Sequence, residues 1–244
     1  MEPASAPALP GGGPGPSPVA ARFDSWAAAY DSSILQDAFY TRLHRHTLHL
    51  ATRANPAPHR LLDLGCGTGR LLRAAAARFP HADLLGVDIS AGMLERAKAV
   101  DAGRGSPTYL QADAARLPVA DGSVDVVTCT ACSHHWTEPE GPLAQLRRIT
   151  ADDGVLILAH LPGIAGWDLA ASAGAARRSD VRAVRSGTSR LTELLCDAGF
   201  RITKAALYAE CPVMPTAVVL CAQPDSAPRT RSFVRLLRSG AAPR

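Results

Sequence analysis

Leu61–Arg70 reads LLDLGCGTGR: a short apolar run followed by glycines at 65, 67 and 69. An apolar run that ends in spaced glycines is the pattern of a buried strand turning sharply into a helix. Glycine allows the tight turn and lets the backbone come close to a ligand. The helix start that follows offers unpaired N–H groups to an anionic group. A dinucleotide fingerprint, G-x-G-x-x-G, needs glycine at 70, where Arg70 stands. A phosphate-cradling loop ending in GK[ST] is excluded because the loop has no lysine. The loop alone therefore predicts a ligand against the backbone without identifying it.

Outward from the loop, strand and helix patterns alternate. Leu61–Leu64 is a strand and Leu71–Phe79 a helix ended by Pro80. Asp83–Asp88 is the next strand, Gly92–Val100 the next helix, and Thr108–Ala112 a short strand. The β-branched run Val124–Cys129 predicts a buried strand. Leu143, Leu146 and Ile149 predict a helix closed by Asp153-Gly154, before the buried strand Val155–Ala159. Leu191, Leu194 and Leu195 predict a helix capped by Gly199, and Ile202–Ala209 with Ala217–Ala222 a final strand pair. Such alternation gives a doubly wound α/β fold with a mainly parallel sheet, whose ligands bind at the carboxyl ends of the strands.

The ends of the chain differ in composition. Residues 1–21 are Ala, Pro, Gly and Ser and predict a disordered leader without the apolar core of a secretory signal. Residues 22–58 predict a helical lid, with Phe23, Trp26 and Tyr30 at helical spacing. The main domain runs over 59–223 with an irregular insertion at 160–187, and 224–244 is a basic tail. No run approaches the roughly 18–20 apolar residues of a membrane span. Six scattered cysteines fit a reducing compartment, so a cytoplasmic protein is expected. The net charge of +4 rests almost wholly on arginine, Lys98 and Lys204 being the only lysines.

Three acids stand at three successive strand ends. Asp63 precedes the loop and can receive the cationic amino group of a zwitterionic ligand. Asp88 ends the second strand, where a carboxylate can accept both hydroxyls of a ribose. Asp113 follows the third, within reach of an adenine amino group, with Ile89 and Met93 as apolar faces for the purine.

The segments LLDLGCGTG, LLGVDIS, QADAARLP and DVVTCTACSHHW resemble successive motifs of the class I S-adenosylmethionine (SAM)-dependent methyltransferases. The resemblance is greatest to the type 11 group, which includes the ubiquinone/menaquinone methyltransferase-like proteins, and FDSWAAAYD at Phe23–Asp31 resembles that group's N-terminal helix. It implies a seven-stranded Rossmann-like sheet of order 3-2-1-4-5-7-6 with the last strand antiparallel. It implies SAM as cofactor and S-adenosylhomocysteine as product. By the same resemblance Asp63, Gly65, Cys66 and Gly67 line the methionine end, Asp88 the ribose, and Asp113 with Ala114 the adenine. Cys129 and Thr130 would offer backbone groups at the end of the fourth strand, and Tyr30 would close over the cofactor.

Cys132-Ser133-His134-His135-Trp136 follows that strand. His134 or His135 is a candidate proton acceptor, since imidazole titrates near neutrality; the alternative is that one only holds the loop. Cys129-x-x-Cys132 with the two histidines has metal-like spacing, but a cysteine inside a buried strand argues against a metal. His44, His46 and His49 do not all share one helical face and predict a solvated or lid surface rather than a ligand set. Trp136, Trp167 and the insertion are expected to wall a substrate pocket.

The short cover favours a small-molecule substrate. Arg177, Arg178, Arg182, Arg185 and Arg190, with the arginines of the tail, keep a nucleic-acid acceptor as an alternative. No Asn-Pro-Pro-Tyr element follows the fourth strand to support it. A methyltransferase fold without methyl transfer is the third possibility.

Overall fold

The computed structural model describes residues 17–101, 106–162, 181–209 and 215–225. The expected leader up to residue 16, Trp167, Arg177, Arg178 and the tail beyond residue 225 lie outside the described residues.

Seven strands make one sheet: β1 (Arg60–Leu64), β2 (Asp83–Asp88), β3 (Thr108–Gln111), β4 (Val124–Thr130), β5 (Thr150–His160), β6 (Phe200–Tyr208) and β7 (Ala217–Pro224). Their order is β3-β2-β1-β4-β5-β7-β6. The pairs from β3 through β5 are parallel, and β7 runs antiparallel to both β5 and β6. The doubly wound sheet and its strand order are thus those expected.

Alternation along β1 puts helices on both faces. Leu61 joins a core with Phe39, Leu71, Leu72 and Val126. Leu62 and Leu64 join the opposite core with Val127, Leu143, Leu146 and Leu191. The described helices are α1 (Pro18–Tyr30), α2 (Thr41–Ala54), α3 (Arg70–Arg78), α4 (Ala91–Val100), α5 (Glu140–Ile149) and α6 (Val181–Asp197). None is long and apolar enough to cross a membrane.

The structure corrects several boundaries. α1 starts at Pro18, inside the expected leader, because proline suits the first helical position. The long helix expected over 22–53 is broken. α1 stops at Tyr30, the amides of Ser32 and Ser33 turn back onto Ala29 O and Tyr30 O, and a π-helical turn at Gln36–Tyr40 leads into α2. Asp and Ser side chains offer the backbone local alternatives to helix, which accounts for the break. Asp153-Gly154 does not close α5. It sits within β5, where a bulge shifts the register between Val124 and Val126. Nor is 160–187 irregular at its edges: β5 runs through His160 and α6 begins at Val181. Gly199 ends α6 as expected, with φ +94°.

Candidate functional site

Asp63, Asp88 and Asp113 stand at the carboxyl ends of β1, β2 and β3 and line one cavity of about 380 Å³. The glycine loop forms its floor. Gly65 N and Cys66 N both donate to Val87 O, at 2.8 and 3.1 Å, which ties the loop to β2. Gly67 N then donates to Asp88 Oδ2 at 2.8 Å. A side chain at Gly67, with φ +53°, would meet nothing within 4 Å, so this stretch of backbone faces open space. Gly65 has φ +72°, and a Cβ there would collide with the Cys132 side chain. Gly65→Ala should therefore combine a left-handed backbone penalty with a clash, lowering stability by roughly 1–3 kcal/mol. Urea unfolding with an unchanged midpoint would contradict this.

Asp63 is 3% exposed and accepts a 2.8 Å bond from Thr128 Oγ1. Burial, reinforced by the nearby Asp88 and opposed by the Thr128 bond, pushes its pKa up to about 7. Burial also raises Asp88, against lowering bonds from the Ser90, Gly67 and Ile89 amides. A buried carboxylate with one neutral partner is a receptor for a cation. Asp88 uses one oxygen on Gly67 N and the other on Ser90 N, at 2.9 Å, leaving acceptor capacity for hydroxyl donors. Asp113 Oδ1 takes the Ala115 amide at 2.9 Å, fixing the turn after β3.

A cover closes the cavity. Asp24 on α1 accepts from Ser90 Oγ at 2.5 Å and Gly92 N at 2.9 Å at the start of α4. Arg96 on α4 donates to Ala28 O at 2.5 Å. Thr68 in the glycine loop donates to Asp31 at 2.8 Å. Arg70 donates to Asp37 at 2.7 Å and to Thr41 Oγ1 at 3.0 Å. These bonds bring Tyr30, Gln36, Tyr40 and His44 onto the cavity wall. Burial, ahead of every other cause, raises the Tyr30 phenol to about 12.

Every predicted cofactor residue lines the cavity except Cys129. Along β4, Thr128 turns to Asp63 while Cys129, fully buried, points into the opposite core. The two candidate histidines separate as well. His135 lines the cavity and packs edge-on against Phe23, ring centroids 5.0 Å apart. His134 does not line it. It is 7% exposed, 3.9 Å from the His135 ring, and its Nδ1 has no partner among the described residues. Burial, then the neighbouring His135, His160 and Arg22, lowers His134 to about 3; burial and Arg22 lower His135 to about 4. Among the described residues no three His, Cys, Asp or Glu side chains converge as metal ligands.

Sequence reasoning missed His44 and Arg70 as wall residues. His44 is lowered to about 4 by burial and by Arg70, and faces the cavity rather than solvent.

The type 11 family described as "Methyltransferase domain" matches residues 62–158. Malonyl-[acyl-carrier protein] O-methyltransferase of Geobacter sulfurreducens is 34% identical over 186 residues, covering 73% of this chain and 68% of that protein. Demethylmenaquinone methyltransferase of Thermus thermophilus is 34% identical over 143 residues, covering 57% of this chain and 64% of that protein. Across the first such relatives the chain spans 50 to 68% of their length. The crystal structure of a SAM-dependent methyltransferase from Aquifex aeolicus has a TM-score of 0.58 at 16% identity, over 81% of this chain and 97% of that one. This last likeness is one of fold.

Proposed function

The chain belongs to the type 11 family of SAM-dependent methyltransferases, and from that premise we propose that it methylates an acidic oxygen of a small organic acceptor. SAM, when bound, supplies an electrophilic methyl on a sulfonium and leaves as S-adenosylhomocysteine. The residues present fit it. Asp63 would hold the amino group, and the open Gly67 backbone would accept the methionine portion. Asp88 would take the ribose hydroxyls. Asp113 and Ala114, with Ile89 and Met93 on the same wall, would take the adenine. Tyr30 and the cover exclude water from the reacting atoms.

The observation that carries the acceptor class is the cavity wall, where His44, His135 and Arg70 stand together. His44 and His135 both line the cavity, and both are lowered to about 4. They are neutral near pH 7, yet too weakly basic to deprotonate an alcohol or amine efficiently. A carboxylate or another acidic hydroxyl arrives ionised and needs no base. Arg70, ion-paired with Asp37 at 2.7 Å, stands on the same wall, and its guanidinium has further donors for an anionic acceptor. The Geobacter sulfurreducens relative is itself named an O-methyltransferase. His135 then orients the acceptor and does not remove its proton. The free cysteines, Cys66, Cys129, Cys132, Cys196 and Cys221 among the described residues, accord with a reducing compartment such as the cytoplasm.

The test is single-turnover methylation of carboxylic acid acceptors, which are ionised throughout the neutral range. His135→Asn and His44→Asn should each slow transfer by less than roughly tenfold, with a rate flat from about pH 6 to 8. A loss of two orders of magnitude that also removes the acid limb of the pH profile would make an imidazole the base and overturn this reading.

A further inference from the structure

The two sides of α2 meet different surroundings. Tyr40, just before it, and His44 reach the cofactor cavity. Arg42, Arg45, His46 and His49 recur at i, i+3, i+4 and i+7 and so share another face. With Arg78 at the end of α3 and Tyr208 at the end of β6, they line a separate groove of about 430 Å³. Arg78 is held in place by a 2.5 Å bond from its Nε to Thr52 Oγ1. The Tyr208 ring packs on the His46 ring, centroids 5.2 Å apart. Burial, then His49 and Lys204, keep His46 below its ordinary pKa.

Among the described residues no Asp or Glu lines this groove, and α2, α3 and β6 contain none. Arg42 has a contact of its own. The weight therefore falls on Arg45, Arg78, His46 and His49. Guanidinium forks and imidazoles that converge without a carboxylate select an anion presenting several oxygens. We propose that this groove binds the phosphate group of a small organic molecule, at a site separate from the cofactor cavity. Its volume suits one compact ligand. Among the described residues Tyr208 is the only Phe, Tyr or Trp in its lining and its ring packs on His46, whereas a single-stranded nucleic acid would use several open rings for stacking. A phosphate bound here lies on the back of the helix that supplies His44 to the acceptor wall.

The experiment is a titration of the full chain with inorganic pyrophosphate and, separately, with a single-stranded RNA oligonucleotide. Both are followed by heteronuclear NMR of the backbone and arginine Nε–H groups. Pyrophosphate should give saturable shifts at Arg45, His49 and Arg78 that weaken in high salt. Combining Arg45→Gln with Arg78→Gln should weaken it by roughly tenfold or more. Both side chains are exposed and outside the cofactor cavity, so this variant should keep its fold by circular dichroism and its Kd for SAM. Shifts that do not saturate, or that survive in the double variant, would overturn the site. So would RNA binding that pyrophosphate fails to displace. Failure of the wild-type chain to bind SAM would sink the methyltransferase reading and leave the pyrophosphate result standing.

Discussion

Asp88→Ala is expected to raise the Kd for SAM by roughly 100-fold or more, because a hydrogen bond to a charged acceptor is worth about 1.5–3 kcal/mol and two ribose hydroxyls lose one. The carboxylate also ties Gly67 N to Ser90 N, so its removal loosens both the glycine loop and the entry to α4. Stability should change far less. Burial holds the Asp88 pKa above its ordinary value, so its ionised form is a burden to the folded apoprotein. Calorimetry for Kd and thermal unfolding for stability separate the two effects. A near-normal Kd would remove Asp88 from the cofactor site.

Asp63→Asn is expected to move binding and stability in opposite directions. In the wild type, Asp63 must ionise to pair with the SAM amino group, and its pKa before binding is about 7. Affinity should therefore rise by up to about tenfold per pH unit between about pH 5 and 7, with proton release, and level off above. In the Asn variant that dependence should vanish and affinity should fall by roughly 100-fold, since a buried charge pair becomes a neutral contact. Stability shifts in the opposite sense. A carboxyl whose folded pKa is raised supports the fold fully below its unfolded value near 3.8, and that support is lost as pH rises toward about 7. At pH 8 the wild-type apoprotein thus carries a buried charge whose side-chain partner among the described residues is the neutral Thr128 hydroxyl. The Asn variant should melt at a higher temperature there, with little difference near pH 4. Equal melting temperatures at pH 8 would show that Asp63 is not strained in the fold.

Much of this was legible because the signals are local. Apolar runs ending in glycine or aspartate marked β1 and β2, and the three acids at strand ends converge on one cavity. The strand order came from family resemblance, since no residue periodicity encodes which strands become neighbours. What failed was long-range. Arg70 served only to exclude a dinucleotide loop, yet it joins the cover through Asp37 and Thr41, 33 and 29 positions earlier. His44 was expected on a solvated or lid surface, and helical spacing does not reveal which face a cavity will meet. Cys129 was expected to offer backbone groups; strand alternation sends its side chain into the opposite core. The break after Tyr30 did have a local signal, Asp31-Ser32-Ser33, which the apolar spacing on either side obscured.

The bond between Asp24 and Ser90 has a consequence for how this protein breathes. Ser90 Oγ accepts from Met93 N at 3.1 Å while donating to Asp24, so the first turn of α4 is finished by a side chain from 66 positions earlier. When α1 lifts, that turn loses its terminal partner and becomes free to fray. Met93, on the adenine wall, is carried by the same turn. Roof and wall are thus joined through one serine, and amide exchange at Met93 should keep time with the departure of a helix it does not belong to.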